Sequence, residues 1–95
     1  MKFMVNWRVH DDNRHQALKI FSAMSDDAAA KEMGDLEVIG RWHDLVGFTG
    51  VAIVETNDAD ELAKWLLKWN AIVDVEAVPV LNDEETRALG RDVLD

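Results

Sequence analysis

Two residues in one short stretch carry side chains suited to chemistry. Arg41 and His43 stand two apart in Gly40-Arg41-Trp42-His43. An arginine fork binds a carboxylate or phosphate through paired N–H donors. An imidazole, with an ordinary pKa of about 6.5, gives or takes a proton near neutral pH. Asn6, Arg8 and His10 repeat the two-residue spacing near the start, and Asp74 and Glu76 repeat it near the end. In extended chain that spacing sends side chains to one face. The expected constellation is a polar pocket. Arg41 is the anionic anchor and His43 the catalytic acid/base candidate, with Glu76 or Asp74 orienting it and Asn6 and Arg8 as further lining. The same residues allow a different arrangement. Arg8 and Arg41 could pair with Asp74 and Glu76 across an interface and do nothing else, fixing register more than adding stability.

Other residues point elsewhere. His10-Asp11-Asp12 with His15 matches no standard ligand spacing, so an exposed helix cap is expected and no metal. Trp65 and Trp69 stand one helical turn apart on an apolar stripe, as core filling or as a ring platform for an aromatic ligand. Gly47-Phe48-Thr49-Gly50 opens no helix, so it reads as a turn with a bulge position and not a phosphate loop. No cofactor is expected from any of these residues.

The elements that must position the candidates follow from periodicity. Over residues 2–9, Phe3, Val5, Trp7 and Val9 alternate with Met4, Asn6 and Arg8, which predicts a strand. Asp11 or Asp12 is the expected N-cap of an amphipathic helix over about 12–25, carrying Ala17, Ile20, Phe21 and Met24. Residues 25–34 read as a short second helix or a loop extension, with Gly34 as a stop. A strand over 35–44 and a strand over 48–56 flank Leu45-Val46-Gly47, short enough for a hairpin. Asn57 with Asp60 resembles a capping arrangement. Leu62, Trp65, Leu66 and Trp69 then mark the clearest helix, with an expected Asp60–Lys64 ion pair. The last strand covers about 72–81. Pro79 cannot donate to a ladder, which makes that strand an edge.

The order β-α-β-β-α-β with right-handed crossovers is the ferredoxin-like α+β sandwich, an antiparallel sheet in order 4-1-3-2 with two helices on one face. Residues 1–82 form this domain. Residues 83–95 are an acidic tail with room for a short helix. Phe3, Val5, Trp7, Val38, Trp42, Val73 and Val75 are assigned to the helix face. Asn6, Arg8, His10, Glu37, Arg41, His43, Asp74 and Glu76 are assigned to the open face, among Met4, Ile39, Ile72 and Val78. Strand three is apolar on both faces, so its orientation stays open. Charges interleaved with apolar residues on the open face predict a partly buried surface. A second copy packed sheet to sheet would cover it, leaving a polar-lined space for a small molecule.

Composition narrows the partners. The chain has 95 residues, enough for one small domain. Its 19 Asp+Glu exceed 10 Lys+Arg, a net charge of −9, which disfavours nucleic acid and anionic membrane surfaces. It has no Cys, so thiolate chemistry and disulfides are excluded. No apolar run approaches the about 18–20 residues of a membrane span, and residues 1–8 do not read as a signal peptide. A cytoplasmic protein is expected.

Met1 to Trp7, Gly40-Arg41-Trp42-His43, Glu61 through Trp65 and Trp69, and Val78-Pro79-Val80 together resemble the DUF3303 family of small domains of unknown function. The resemblance implies a dimeric α+β barrel, in which ferredoxin-like protomers pair through their sheets. It implies no particular activity. The wider superfamily holds haem-degrading and quinol monooxygenases, isomerases, chlorite dismutases and pure ligand binders, among which fold does not choose. Haem-degrading members use a strand-one Asn, a Trp and a helical His. Asn6 matches the first by position, no one Trp is singled out, and neither His43 nor His15 matches the third. Three readings stand: a homodimer binding a small organic molecule, anionic or not, between its two sheets; a cofactor-independent oxygenase or isomerase with His43 as base; and a purely structural or interaction dimer.

Overall fold

The computed structural model describes residues 1–94. Strands β1 (Lys2–Val9), β2 (Glu37–Asp44), β3 (Thr49–Glu55) and β4 (Val73–Val80) form one antiparallel sheet in the order β2-β3-β1-β4. This is the expected 4-1-3-2 order read from the other edge. Pro79 lies in edge strand β4, where its missing N–H costs no ladder bond. The fold is the ferredoxin-like α+β sandwich.

The first crossover is two helices, α1 (Arg14–Ser22) and α2 (Asp26–Met33), after a 3-10 turn at Asp11–Asn13. The single helix expected over 12–25 therefore starts later, and neither Asp11 nor Asp12 caps it: α1 has no side-chain cap. Ser25 interrupts the chain and restarts it, its hydroxyl accepting from the Ala28 N–H at 3.1 Å. Gly34, at φ +65°, turns the chain out of α2 toward β2.

Helix α3 (Ala59–Leu67) is capped by Asp58, not by Asn57. The Asp58 carboxylate accepts from the N–H groups of Asp60 at 2.9 Å and Glu61 at 3.4 Å. Lys64 pairs with Glu61 at 3.4 Å instead of Asp60.

The core lies between one sheet face and α1–α3. Val5, Ala52 and Val54 of the sheet are fully buried against Met33, Leu62 and Trp65. A second cluster joins Val9 and Val73 to Ala17. The last helix, α4 (Asp83–Leu94), stands apart with no buried residue. Asn82 caps it reciprocally: its side chain accepts from the Glu85 N–H at 2.8 Å, and Glu85 accepts from the Asn82 N–H at 3.0 Å. Asp95 lies outside the described residues.

Candidate functional site: a cleft between sheet and helices

A β-bulge decides where the candidate residues point. Between Val38 and Gly40 the β2–β3 register shifts by one, because Ile39 has no partner on β3. Val38 opposes Val54 before the bulge, and Arg41 opposes Ala52 after it. An extra residue reverses side-chain parity beyond it. Arg41 and His43 therefore face the helices, on the side of the buried Val5 and Ala52. Trp42 takes the open face and is 61% exposed. The expectation that Arg41 and His43 share the open face with Glu76, and that Trp42 packs inward, is corrected by this one residue.

Asn6, Arg8 and Glu76 are on the open face as expected. Asn6 opposes Glu76 and Arg8 opposes Asp74 across β1 and β4. They border a shallow, open depression of about 380 Å³. The five expected site residues thus divide between two faces of one sheet. Glu76 and Asp74 cannot orient His43. Asp74 instead holds His10, at 2.9 Å between its Oδ1 and the ring Nε2.

On the helix side Arg41 and His43 reach a cleft of about 90 Å³. Its walls are Trp7, Phe21, Phe48, Trp65 and Trp69. Trp7, Gly50 and His43 form one cross-strand row over β1, β3 and β2. Gly50 presents no side chain, and the Trp7 ring occupies the place its Cβ would take. That lets Trp7 meet His43 edge-on, with ring centroids 5.6 Å apart at 63°. Phe21 of α1 also packs on His43, with ring centroids 4.9 Å apart.

Arg41 is held in an aromatic cage. Its guanidinium carbon lies 4.8 Å from the Phe21 ring centroid, 5.6 Å from Trp65 and 5.9 Å from Trp7. Cation–π attraction of this kind is worth about 0.5–1 kcal/mol per contact at exposed sites. None of the ion pairs among the described residues involves Arg41. Its Nη1 reaches only the Met33 sulfur, at 3.8 Å, and its buried Nε has no partner. Burial lowers the Arg41 pKa from its ordinary value, and the charge of Glu32 opposes that. The Glu32 carboxylate is itself engaged, accepting from Trp69 Nε1.

A second donor near Arg41 is also unused. Trp65 is 3% exposed and its indole Nε1–H has no acceptor. Buried donors are nearly always paired, so an orphan calls for an explanation. Arg41 Nε and Trp65 Nε1 are thus two buried donors without acceptors on neighbouring side chains. His43 is kept below its ordinary pKa by burial first and by the Arg41 charge second. Both causes favour the neutral imidazole.

Sequence reasoning singled out Arg41 and His43 as candidates but gave no sign of the cage, the Trp65 donor or the His10–Asp74 pair. An unpartnered Ile39 was the missing signal, and nothing in strict alternation announces it. Among the described residues no cluster of three or more His, Asp or Glu could hold a metal ion. No helix among them is long and apolar enough to cross a membrane.

Fold and cleft define a class: a small ferredoxin-like α+β domain with an aromatic, arginine-bearing cleft between its sheet and helices. The profile of a family described as "Domain of unknown function (DUF3303)" matches residues 1–94, and the chain belongs to that family. No curated protein matches the chain. Among solved structures it is similar to an uncharacterized NIPSNAP domain protein from Burkholderia xenovorans. That similarity has 14% identity and a TM-score of 0.45, and spans 87% of this chain and 97% of that one.

Proposed function

We propose that the protein binds a small organic anion in the cleft between sheet and helices, as a homodimer paired through its open sheet faces. One observation carries the ligand reading: a half-buried arginine with no carboxylate partner, beside a buried indole donor with no acceptor. A charge drawn from water without a partner is costly. A ligand carboxylate accepting from Arg41, with Trp65 Nε1–H in reach of the same group, would satisfy both. The aromatic walls favour a flat apolar body. The cleft of about 90 Å³ is well below the about 300 Å³ at which drug-sized sites begin, so the ligand is small.

The dimer reading is supported by the uncovered sheet face, where Trp42 is 61% and Ile39 53% exposed among the polar residues around Asn6, Arg8 and Glu76. There Asn6, Arg8 and Glu76 would line the space between two sheets, secondary to the helix-side cleft.

Benzoate and its uncharged amide, benzamide, test the anchor by titration calorimetry. Benzoate should bind to the wild type and benzamide much more weakly. Arg41→Met should lose at least about tenfold for benzoate, the worth of one charge-assisted hydrogen bond. Equal binding of the two probes, or benzoate binding unchanged in Arg41→Met, would refute the anchor.

A second reading has its own observation. His43 stands at the cleft beside Arg41, whose charge, after burial, favours its neutral imidazole, and there it could take a proton from a bound substrate. The protein would then be a cofactor-independent oxygenase or isomerase with His43 as catalytic base. Turnover on a screened substrate should fall by about 10²-fold or more in His43→Gln. Unaltered turnover would remove His43 from the chemistry.

A further inference from the structure

Helix α4 has no place in its own domain. It follows edge strand β4 after only Leu81 and Asn82, and every residue of it but Gly90 is exposed. The described chain is correspondingly long, 51 Å by 27 Å by 19 Å. Yet α4 is not built as a solvated rod. At about 100° per residue, Thr86, Leu89, Gly90 and Val93 share one stripe, while Asp83, Glu84, Glu85, Arg87, Arg91 and Asp92, with Ala88 and Leu94 among them, make up the rest. Leu89 is 52% exposed, Val93 66% and the adjoining Leu81 51%. A Cβ at Gly90 would meet nothing in this chain, so no contact within the protomer explains a glycine in mid-helix.

We infer that α4 is an exchanged arm, its Leu89–Val93 stripe docking on the β2 margin of a second copy of this chain. The inference rests on the homodimer proposed above and adds to it the element that completes the interface. Area supports the occupant. The sheet face spans about 19 Å across its strands and about 26 Å along them, about 500 Å² of projected area per copy. Sheet twist keeps the corners of two such faces apart. A stable interface takes about 800 Å² per partner. A helix of 12 residues is about 18 Å long and about 10 Å wide. Each copy would bury one such face on its own arm and another where it receives its partner's, which brings the pair to that size.

Geometry supports the placement. A two-fold axis running between the sheets, parallel to the strands, sets β4 of one copy over β2 of the other. Strand β4 bears the arm, and β2 bears the exposed Trp42 and Ile39. The apolar stripe thereby meets the apolar margin, and the small Gly90 faces the approach.

Sedimentation velocity on the full chain tests this. The wild type should be a dimer at micromolar concentration. Leu89→Asp with Val93→Asp should weaken dimerisation by at least about a hundredfold, with the far-ultraviolet spectrum of the sheet domain retained, because α4 contributes nothing to the core. Arg87→Ser, on the charged side of α4, should leave the dimer intact. A wild-type dimer that the double substitution leaves unchanged overturns the exchanged arm and leaves the sheet-to-sheet dimer standing. A monomeric wild type overturns both. Loss of dimer in Arg87→Ser as well would also count against the apolar stripe as the contact.

Discussion

The Arg41 guanidinium carbon lies 4.8 Å from the centroid of the Phe21 ring, a contact that ties β2 to α1 across the mouth of the cleft. The rings attract the charge but accept no hydrogen bond, so the cation is held in position with its buried Nε unpaired and Nη1 reaching only the Met33 sulfur. A half-buried arginine in that state costs stability that an ion-paired one would not.

Arg41→Met should show this directly. Methionine keeps the apolar stem against Trp7, Phe21 and Trp65 and removes the charge. The lost cation–π attraction and the relieved desolvation oppose each other, so stability should stay within about 1 kcal/mol of wild type by urea denaturation. A loss of about 3 kcal/mol or more would mean that Arg41 serves packing rather than binding.

Two glycines should respond differently to a single methyl group. A Cβ at Gly50 would enter the Trp7 ring, which His43 and Arg41 hold from the other sides. Gly50→Ala should cost about 1–3 kcal/mol and alter the near-ultraviolet signal of Trp7. A Cβ at Gly40 would enter the Trp42 ring, but that ring is 61% exposed and free to swing outward. Gly40→Ala should cost less than about 1 kcal/mol in the monomer. Equal costs at the two positions would contradict the cross-strand packing of Trp7 on Gly50.

Acid should destabilise the fold in two stages. Burial and then the Arg41 charge hold His43 below its ordinary pKa, so the unfolded chain binds that proton at higher pH than the folded one. The stability His43 contributes is complete above its ordinary pKa of about 6.5, and is lost as pH falls from there through the lowered folded value. Asp44 is held low by the N–H groups of Gly47 and Val46, and Glu55 by the N-terminal amine. Their contributions are present above the ordinary carboxylate range of about 4 and are lost below it. Thermal midpoints measured from about pH 8 to about pH 3 should fall in both windows. His43→Gln should flatten the upper step and keep the lower one. An upper step of the same size in that variant would show that another group governs it.

The cap on α3 is a smaller and more local matter. Asp58→Ala leaves the N–H groups of Asp60 and Glu61 without their acceptor. The loss should be about 1 kcal/mol, while Asn57→Ala should be within about 0.5 kcal/mol of wild type. The reverse ranking in a denaturation series would return the cap to Asn57.

Much of the fold was legible in the chain because strand and helix periods are local properties. The alternation of Phe3, Val5 and Trp7, the helical spacing of Leu62, Trp65, Leu66 and Trp69, and the placement of Pro79 suffice for β-α-β-β-α-β and its sheet order. They also mark Arg41 and His43 as the residues to watch. What those residues face is a tertiary matter. Alternation carries side-chain direction along a strand only while each residue has a partner across the ladder, and Ile39 has none. Whether a bulge forms there depends on keeping Val38 opposite Val54 and Arg41 opposite Ala52 at once, a condition set by β3 and by the helices packed above it. That long-range condition, invisible in the spacing of 35–44, moved Arg41 and His43 from the open face into an aromatic cleft. It also parted them from Asn6, Arg8 and Glu76 on the other side of the sheet.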